Sequence, residues 1–475
     1  MNKLTVLLAA ASIISGVPAA LAKAPKRGIS ENEIRFKAEL ALLNQHCTWF
    51  YNWGNEFGNT YLGSAPGMEF VPMCWNATYG ADKIRKYVAS HPETKYLLGF
   101  NEPNFSNQAN MTPAAAAAAW PQVRALADEL GLKLVAPAMN YSPNPPYQNP
   151  TQWFDEFVAL VGNDAFDYVA VHSYGGLGNI VELATTFHER YGKEVWLTEF
   201  CYWPGEDPNT YIAPETQIAS MIQSVEWLEK TPWIFRYAWF KAIGESESKA
   251  APNFALVAKG SKENERFLSE QGKVYFNLPV FDADEYNPVG EWVPSKNFIS
   301  QKGILLGSNT DSAIDAPIEV TRFNSGAWID YQFDVPAAGT YYLTLRVAGQ
   351  GEPVRFDPQI AIYSVDENSE PCDELAPVRT IELSGKDDVY TEESFCIELK
   401  QGKQVIRIAD AVPASPSGMR FSAVRLSDSA ALRSVAVGEI GRDAAVYDLQ
   451  GRRMPSADNL PRGVYVAGGR KIYIK

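Results

Sequence analysis

The 475-residue chain exceeds what one ordinary domain requires, and its 46% hydrophobic and 21% charged content, with 12 Trp, 23 Tyr and 23 Phe, excludes broad disorder. A formal net charge of −14 argues against a nucleic-acid partner, because phosphate binders gather Lys and Arg; a neutral ligand suits the balance better.

In chain order, Lys3, the largely apolar stretch 4–17 and Ala20-Leu21-Ala22 have the form of a secretory leader over 1–22. The apolar stretch is shorter than the roughly 20 residues that cross a bilayer, so the expectation is a secreted or cell-surface protein. The five cysteines are Cys47, Cys74, Cys201, Cys372 and Cys396, an odd number for an exported chain, with Cys372 and Cys396 the more local pair. Their spacing, and that of the four histidines, offers no zinc pattern, so neither metal nor cofactor is expected.

From 27 to 240 short apolar or aromatic runs recur at 27–30, 47–52, 70–75, 96–101, 133–138, 168–173, 194–199 and 235–240. Helix-like segments at 31–43, 81–90, 113–130, 151–161, 180–191 and 214–229 separate them. Thr112-Pro113 is a helix start, Gly131 a helix stop, and Pro121 is expected to bend or divide the helix between them. Eight strands alternating with helices predict an α/β fold, a (β/α)8 TIM barrel over 23–260, whose parallel strands are buried on both faces and whose chemistry sits at their C-terminal ends.

Two acids fall at such ends: Glu102 within Leu98-Gly99-Phe100-Asn101-Glu102-Pro103-Asn104, and Glu199 within Val195-Trp196-Leu197-Thr198-Glu199-Phe200. A charge ending an apolar strand is costly in a packed core and useful at a barrel mouth. One neutral and one ionised carboxyl across a sugar bond is the arrangement of a retaining glycosidase, with Glu102 as acid/base and Glu199 as nucleophile. Aromatic and polar residues near the same ends, Tyr51, Trp53, Trp75, His172, Tyr174, Trp203 and Trp239, suit sugar faces and hydroxyls, although each aromatic alone suits a core equally well. Asn101 is placed to donate to a sugar 2-hydroxyl, or to cap backbone locally.

These segments resemble clan A glycoside hydrolases, in which an Asn-Glu-Pro segment after strand four carries the acid/base and a glutamate after strand seven is the nucleophile. More closely, Trp49-Phe50-Tyr51-Asn52-Trp53, Pro72-Met73-Cys74-Trp75, 97–104, 196–200 and Arg236-Tyr237-Ala238-Trp239-Phe240 resemble glycoside hydrolase family 128, over roughly 26–260. That resemblance implies a retaining endo-β-1,3-glucanase acting on a β-glucan polysaccharide or oligosaccharide. Ser173, after His172, departs from the bulky aromatic the family often carries, which implies a widened subsite. A clan A hydrolase of another β-glycan and a noncatalytic carbohydrate-binding protein are the alternatives.

After a connector over 261–284, strand-like pieces broken by Gly, Pro and acidic turns predict a β-sandwich over 285–427. Trp328-Ile329-Asp330-Tyr331-Gln332-Phe333 with Ala338-Gly339-Thr340-Tyr341-Tyr342 resembles the family 6 type of carbohydrate-binding sandwich. The last segment, 428–475, resembles the C-terminal sorting domains of Bacteroidetes proteins, which implies contact with outer-membrane secretion machinery. The chain is expected to act as a monomer.

Overall fold

A computed structural model describes residues 23–58, 67–204, 211–243, 254–260, 265–350, 354–364, 376–377, 381–383, 389–410, 419–428, 433–434, 445–448, 452–454, 460, 463–467 and 470–474. The leader-like segment 1–22 and Cys372 lie outside the described residues. Among those described, no helix is long and apolar enough to cross a membrane. The chain divides into two compact units. One holds the described residues up to His172 together with Thr186–Phe200 and Trp233–Phe240; the other holds Ser173–Thr185, Cys201–Pro232 and the described residues from Lys241 onward.

The first unit is built on β1 (Arg27–Ser30), β2 (Trp49–Tyr51), β3 (Glu69–Phe70), β4 (Tyr96–Leu98), β5 (Lys133–Met139), β6 (Tyr168–Ser173), β7 (Val195–Phe200) and β8 (Ile234–Phe240). In sequence they alternate with α1 (Lys37–His46), α2 (Ala81–Ser90), α3 (Pro113–Leu130), α4 (Pro150–Val161), α5 (Leu177–Tyr191) and α6 (Pro214–Lys230). The sheet order is β3-β2-β1-β8-β7-β6-β5-β4, so β1 is hydrogen-bonded in parallel to both the second and the last strand. A parallel bridge between Met73 and Leu98 joins the two outer strands and closes the curl, with Cys74 N–H on Leu98 O and Asn101 N–H on Trp75 O. The fold is a TIM-barrel-like curled sheet, as the eight apolar runs imply.

The inward-facing residues Trp49, Tyr51, Val71, Met73, Leu98, Val135, Ala138, Ala170, Trp196 and Ala238 form one buried cluster, with an irregularity in β5 between Val135 and Ala138. At the strand starts the Arg236 guanidinium sits 4.5 Å from the Tyr96 ring centroid and 5.1 Å from that of Trp196, and pairs with Glu69 at 2.7 Å. Aromatic faces and a carboxylate thus fill that end of the barrel and compensate the charge.

Local chemistry sets the helix ends. Ala115 N–H donates to Thr112 Oγ1 at 3.1 Å, and Gly131 closes α3 at φ 66°, a left-handed cap that glycine adopts without Cβ strain. Of the bend or division expected at Pro121, the division does not occur, for α3 runs unbroken from Pro113 to Leu130. Buried Trp120, whose Nε1 donates to Ala165 O, with Val123 and Leu126, anchors both sides of the proline, and that packing outweighs one missing backbone bond. Helix α1 starts six residues later than the apolar pattern suggests, because Glu39 Oε2 takes the N–H groups of Arg35 and Phe36 and fixes the start there.

The second unit carries a separate antiparallel sheet domain with strands Ser300–Ser308, Ile318–Val335, Gly339–Gly349, Pro358–Ser364, Thr391–Leu399, Gly402–Asp410 and Met419–Ser427. Ile329, Tyr331, Phe333 and Val335 alternate inward and are fully buried. The ring of Trp328 is covered by the Arg407 guanidinium at 3.7 Å, and Arg407 forks onto buried Asp330 at 2.8 and 2.9 Å. In the last segment a small sheet joins Arg433–Ser434, Arg470–Ile474, Gly463–Ala467 and Val446–Asp448.

Candidate active site

Strand β4 ends in a tightly held turn that delivers Glu102. Phe100 O accepts from Ala138 N–H at 2.8 Å, and Glu102 N–H donates to Ala138 O at 3.0 Å, so the segment is clamped along β5. Gly99 permits that approach, since a Cβ there would lie 2.8 Å from Val135 O. Glu102 itself takes φ 41°, a left-handed conformation that costs a non-glycine residue on the order of 1–3 kcal/mol. The strain is held by bonds on both sides, and it turns the carboxyl to the strand end.

The carboxyl of Glu102 is nearly enclosed, and its Oε1 has two neighbours, one just past the end of β5 and one on β6: Asn140 Nδ2 donates at 3.1 Å and His172 Nδ1 lies at 2.9 Å. Glu199 ends β7, also buried, and its Oε1 accepts from the Tyr51 hydroxyl at 3.0 Å and from Trp53 Nε1 at 2.8 Å. His172, fully enclosed, stands between the acids, with Nε2 at 3.5 Å from Glu199 Oε1. Glu102, His172 and Glu199 each bring a polar atom within 4.8 Å of the other two. Such a trio would also suit a cation; the hydrogens aimed at both Oε1 atoms by Tyr51, Trp53 and Asn140 favour carboxylates acting as hydrogen-bond acceptors and proton carriers.

Burial pushes the Tyr51 hydroxyl well above the ordinary phenol range, and the negative charge of Glu199 adds to the effect, so Tyr51 stays a proton donor. Trp53, like Glu102, is held at positive φ, 58°. Asn101 is buried; its Nδ2 donates to Gln108 Oε1 at 3.2 Å, and its Oδ1 has no partner among the described residues.

The other aromatics separate into three places. Trp75 is partly exposed and packs on the barrel cluster. Tyr174 and Trp203 belong to the second unit, where their rings meet edge-on at 6.1 Å. Trp239, expected to face sugar, is 1% exposed, with its ring against Phe200 at 5.1 Å. Ala238 occupies the inward position, so alternation sends Trp239 outward and returns Phe240 to the inside, where it meets Trp53 at 5.9 Å. Asn140 and Phe240 were not singled out from sequence. Asn140 was legible as the polar residue directly after a strand end, and Phe240 as the inward register partner of Ala238.

Residues 28–275 match the model of the glycosyl hydrolase catalytic core. The chain belongs to that family. The family's core therefore spans the barrel and the segment just beyond it, and contains both buried glutamates. Similar solved structures include a family 128, subgroup II endo-β-1,3-glucanase from Pseudomonas viridiflava, with 34% identity, TM-score 0.47, and coverage of 54% of this chain and 99% of that one. A subgroup I endo-β-1,3-glucanase from Amycolatopsis mediterranei, solved with laminaritriose, shares 27% identity at TM-score 0.43, covering 53% of this chain and 98% of that one. Among curated proteins, alkali-sensitive linkage protein 1 of Schizosaccharomyces pombe is 25% identical over 242 residues, which is 50% of this chain. The match spans 41% of the length of that relative.

Proposed function

We propose that the chain is a retaining endo-β-1,3-glucanase that cleaves internal bonds of a β-glucan. The observation that carries this reading is the approach of two buried carboxyls, Glu102 and Glu199, to within 4.8 Å at the ends of β4 and β7. Carboxyl groups about 5 to 5.5 Å apart suit direct attack on the sugar, whereas a separation of about 6.5 to 9.5 Å leaves room for an intervening water.

In the first step the Glu199 carboxylate forms a bond to the anomeric carbon as the bond to the glycosidic oxygen breaks, and Glu102 gives its proton to that oxygen. The product is a glycosyl ester on Glu199, whose negative charge is thereby lost. Glu102, now ionised, takes a proton from water as the water oxygen attacks the anomeric carbon, and Glu199 leaves as carboxylate. Asn101 Oδ1 accepts from a sugar hydroxyl, and Trp75 and Phe240 offer aromatic surface to ring C–H groups. The β-1,3 linkage rests on the likeness of the five quoted segments to family 128, since side-chain chemistry alone does not separate one β-glycan from another.

Export through the 1–22 leader, a carbohydrate-binding role for the β-sandwich over 285–427 and a sorting role for the last segment complete the reading, with a monomer acting outside the cell or at its surface. The test is product analysis of the whole chain, Glu102→Gln and Glu199→Gln on laminarin, curdlan, xylan and mannan. The unmodified protein is expected to release laminari-oligosaccharides with an early fall in polymer length and retained configuration by proton NMR. Each variant should lose at least about a thousandfold in rate. Unimpaired turnover by either variant removes that glutamate from its role, and products from xylan or mannan alone overturn the linkage.

A further inference from the structure

Strand β2 and the residue two beyond it contribute a hydroxyl and an indole N–H to one oxygen of Glu199. We infer that Tyr51 and Trp53 are positioning residues for the nucleophile, a two-donor clamp that keeps Glu199 ionised and aimed. The inference rests on the hydrolase reading of Glu102 and Glu199.

Three features separate this from two aromatics that merely face sugar. Tyr51 is fully enclosed and presents no ring face to a ligand; its hydroxyl lies 3.0 Å from Glu199 Oε1 and 3.1 Å from Thr198 O, both at the end of β7. Trp53 reaches Glu199 only from a left-handed backbone, φ 58°, which costs a bulky residue energy and is retained where surrounding contacts over-determine it. Its ring is wedged edge-on between Tyr51 at 5.2 Å and Phe240 at 5.9 Å, so the indole N–H direction is set by packing. Both donors are neutral, and a neutral donor stabilises a carboxylate without neutralising it, which leaves the charge available for attack.

Glu102 from the end of β4 and His172 from β6 also face Glu199. Glu102, when ionised, disfavours a second negative charge beside it, and burial does the same. The clamp opposes both. When the glycosyl ester forms, the two donors lose a charged acceptor and regain it on hydrolysis, so their loss weakens the ionised state of the free enzyme most.

Trp53→Phe keeps an aromatic ring and removes only the N–H; Tyr51→Phe removes only the hydroxyl. For each, the acidic limb of the kcat/KM profile on laminarin should move up by about one pH unit or more, and kcat/KM at the acidic edge should fall about tenfold or more, with KM changed less than kcat. The rate at which 2-deoxy-2-fluoroglucosyl fluoride labels Glu199, followed by mass spectrometry, should fall in parallel. Circular dichroism and thermal midpoints confirm that each variant is folded; if one is not, the other carries the test. An unmoved acidic limb with unchanged labelling in a folded Trp53→Phe overturns the clamp. A rise in KM alone does too, since it assigns Trp53 to sugar contact. Absence of Glu199 labelling in the unmodified protein, with no laminarin turnover, overturns the hydrolase reading instead.

Discussion

Asn140 donates its side-chain N–H to Glu102 across the gap between β5 and β4, at 3.1 Å and out of contact with bulk water. The two residues stand 38 positions apart, and the backbone bond from Glu102 N–H to Ala138 O sets their spacing. The carboxyl that is to give and retake a proton is therefore fixed through one oxygen by a neutral amide.

If that amide orients Glu102, Asn140→Ala should lower kcat/KM by about tenfold to a hundredfold, the range of about 1.5–3 kcal/mol for a hydrogen bond to a charged group. Asn140→Asp should be worse, because it sets a second negative charge beside the general base. Steady-state kinetics on laminarin decide it; equal activity of Asn140→Ala and the unmodified protein would show that the contact does not matter to the reaction.

Burial pushes the Cys47 thiol up to about 12 and the Cys74 thiol higher still, so both remain protonated throughout the neutral range. Iodoacetamide at pH 8 should leave both unmodified in the folded chain and alkylate both after denaturation. Peptide mapping of the two samples checks this, and rapid labelling of either in the native protein would contradict its enclosed position.

In the second unit, burial alone would raise Asp311, but Arg346, Ser422 and the Ala313 N–H bond its carboxylate and hold it below the ordinary Asp value. A folded-state value depressed in this way contributes stability that is present above the unfolded value of about 3.9 and is lost as pH falls through the folded one. Asp311→Asn should cost about 2–3 kcal/mol at pH 7, with the difference from the unmodified chain shrinking as pH falls below the unfolded value. Calorimetric unfolding of both proteins across that range measures it.

Gly28 lies against the Trp49 indole, and an added Cβ would sit 2.3 Å from Trp49 Cε2. Trp49 cannot retreat, since its Nε1 donates to Lys26 O and its ring meets Trp196 at 5.1 Å. Gly28→Ala should therefore destabilise the barrel by about 1–3 kcal/mol or more, read as a fall in thermal midpoint. An unchanged midpoint would mean that β1 and β2 pack less closely than the strand register implies.

Much of the barrel was legible in the chain. Eight apolar runs marked eight strands because parallel strands buried on both faces need near-continuous hydrophobicity, and Thr112 and Gly131 bounded α3 because capping is a local event. What misled was non-local. Pro121 divides a helix in isolation, but not one whose Trp120 is anchored in the core, and the outward register of Trp239 emerges only when the strand's alternation is placed against Ala238.

The sequence by itself determined the alternation of elements, the placement of Glu102 and Glu199 at strand ends, and the change to antiparallel strands in the second half, since each depends on neighbours within a few residues. Only the tertiary structure decided that Tyr51 and Trp53 meet Glu199, that Asn140 and His172 meet Glu102, and that Trp239 is enclosed. Those contacts join residues from different strands, and their geometry comes from closure of the barrel, which no local pattern encodes.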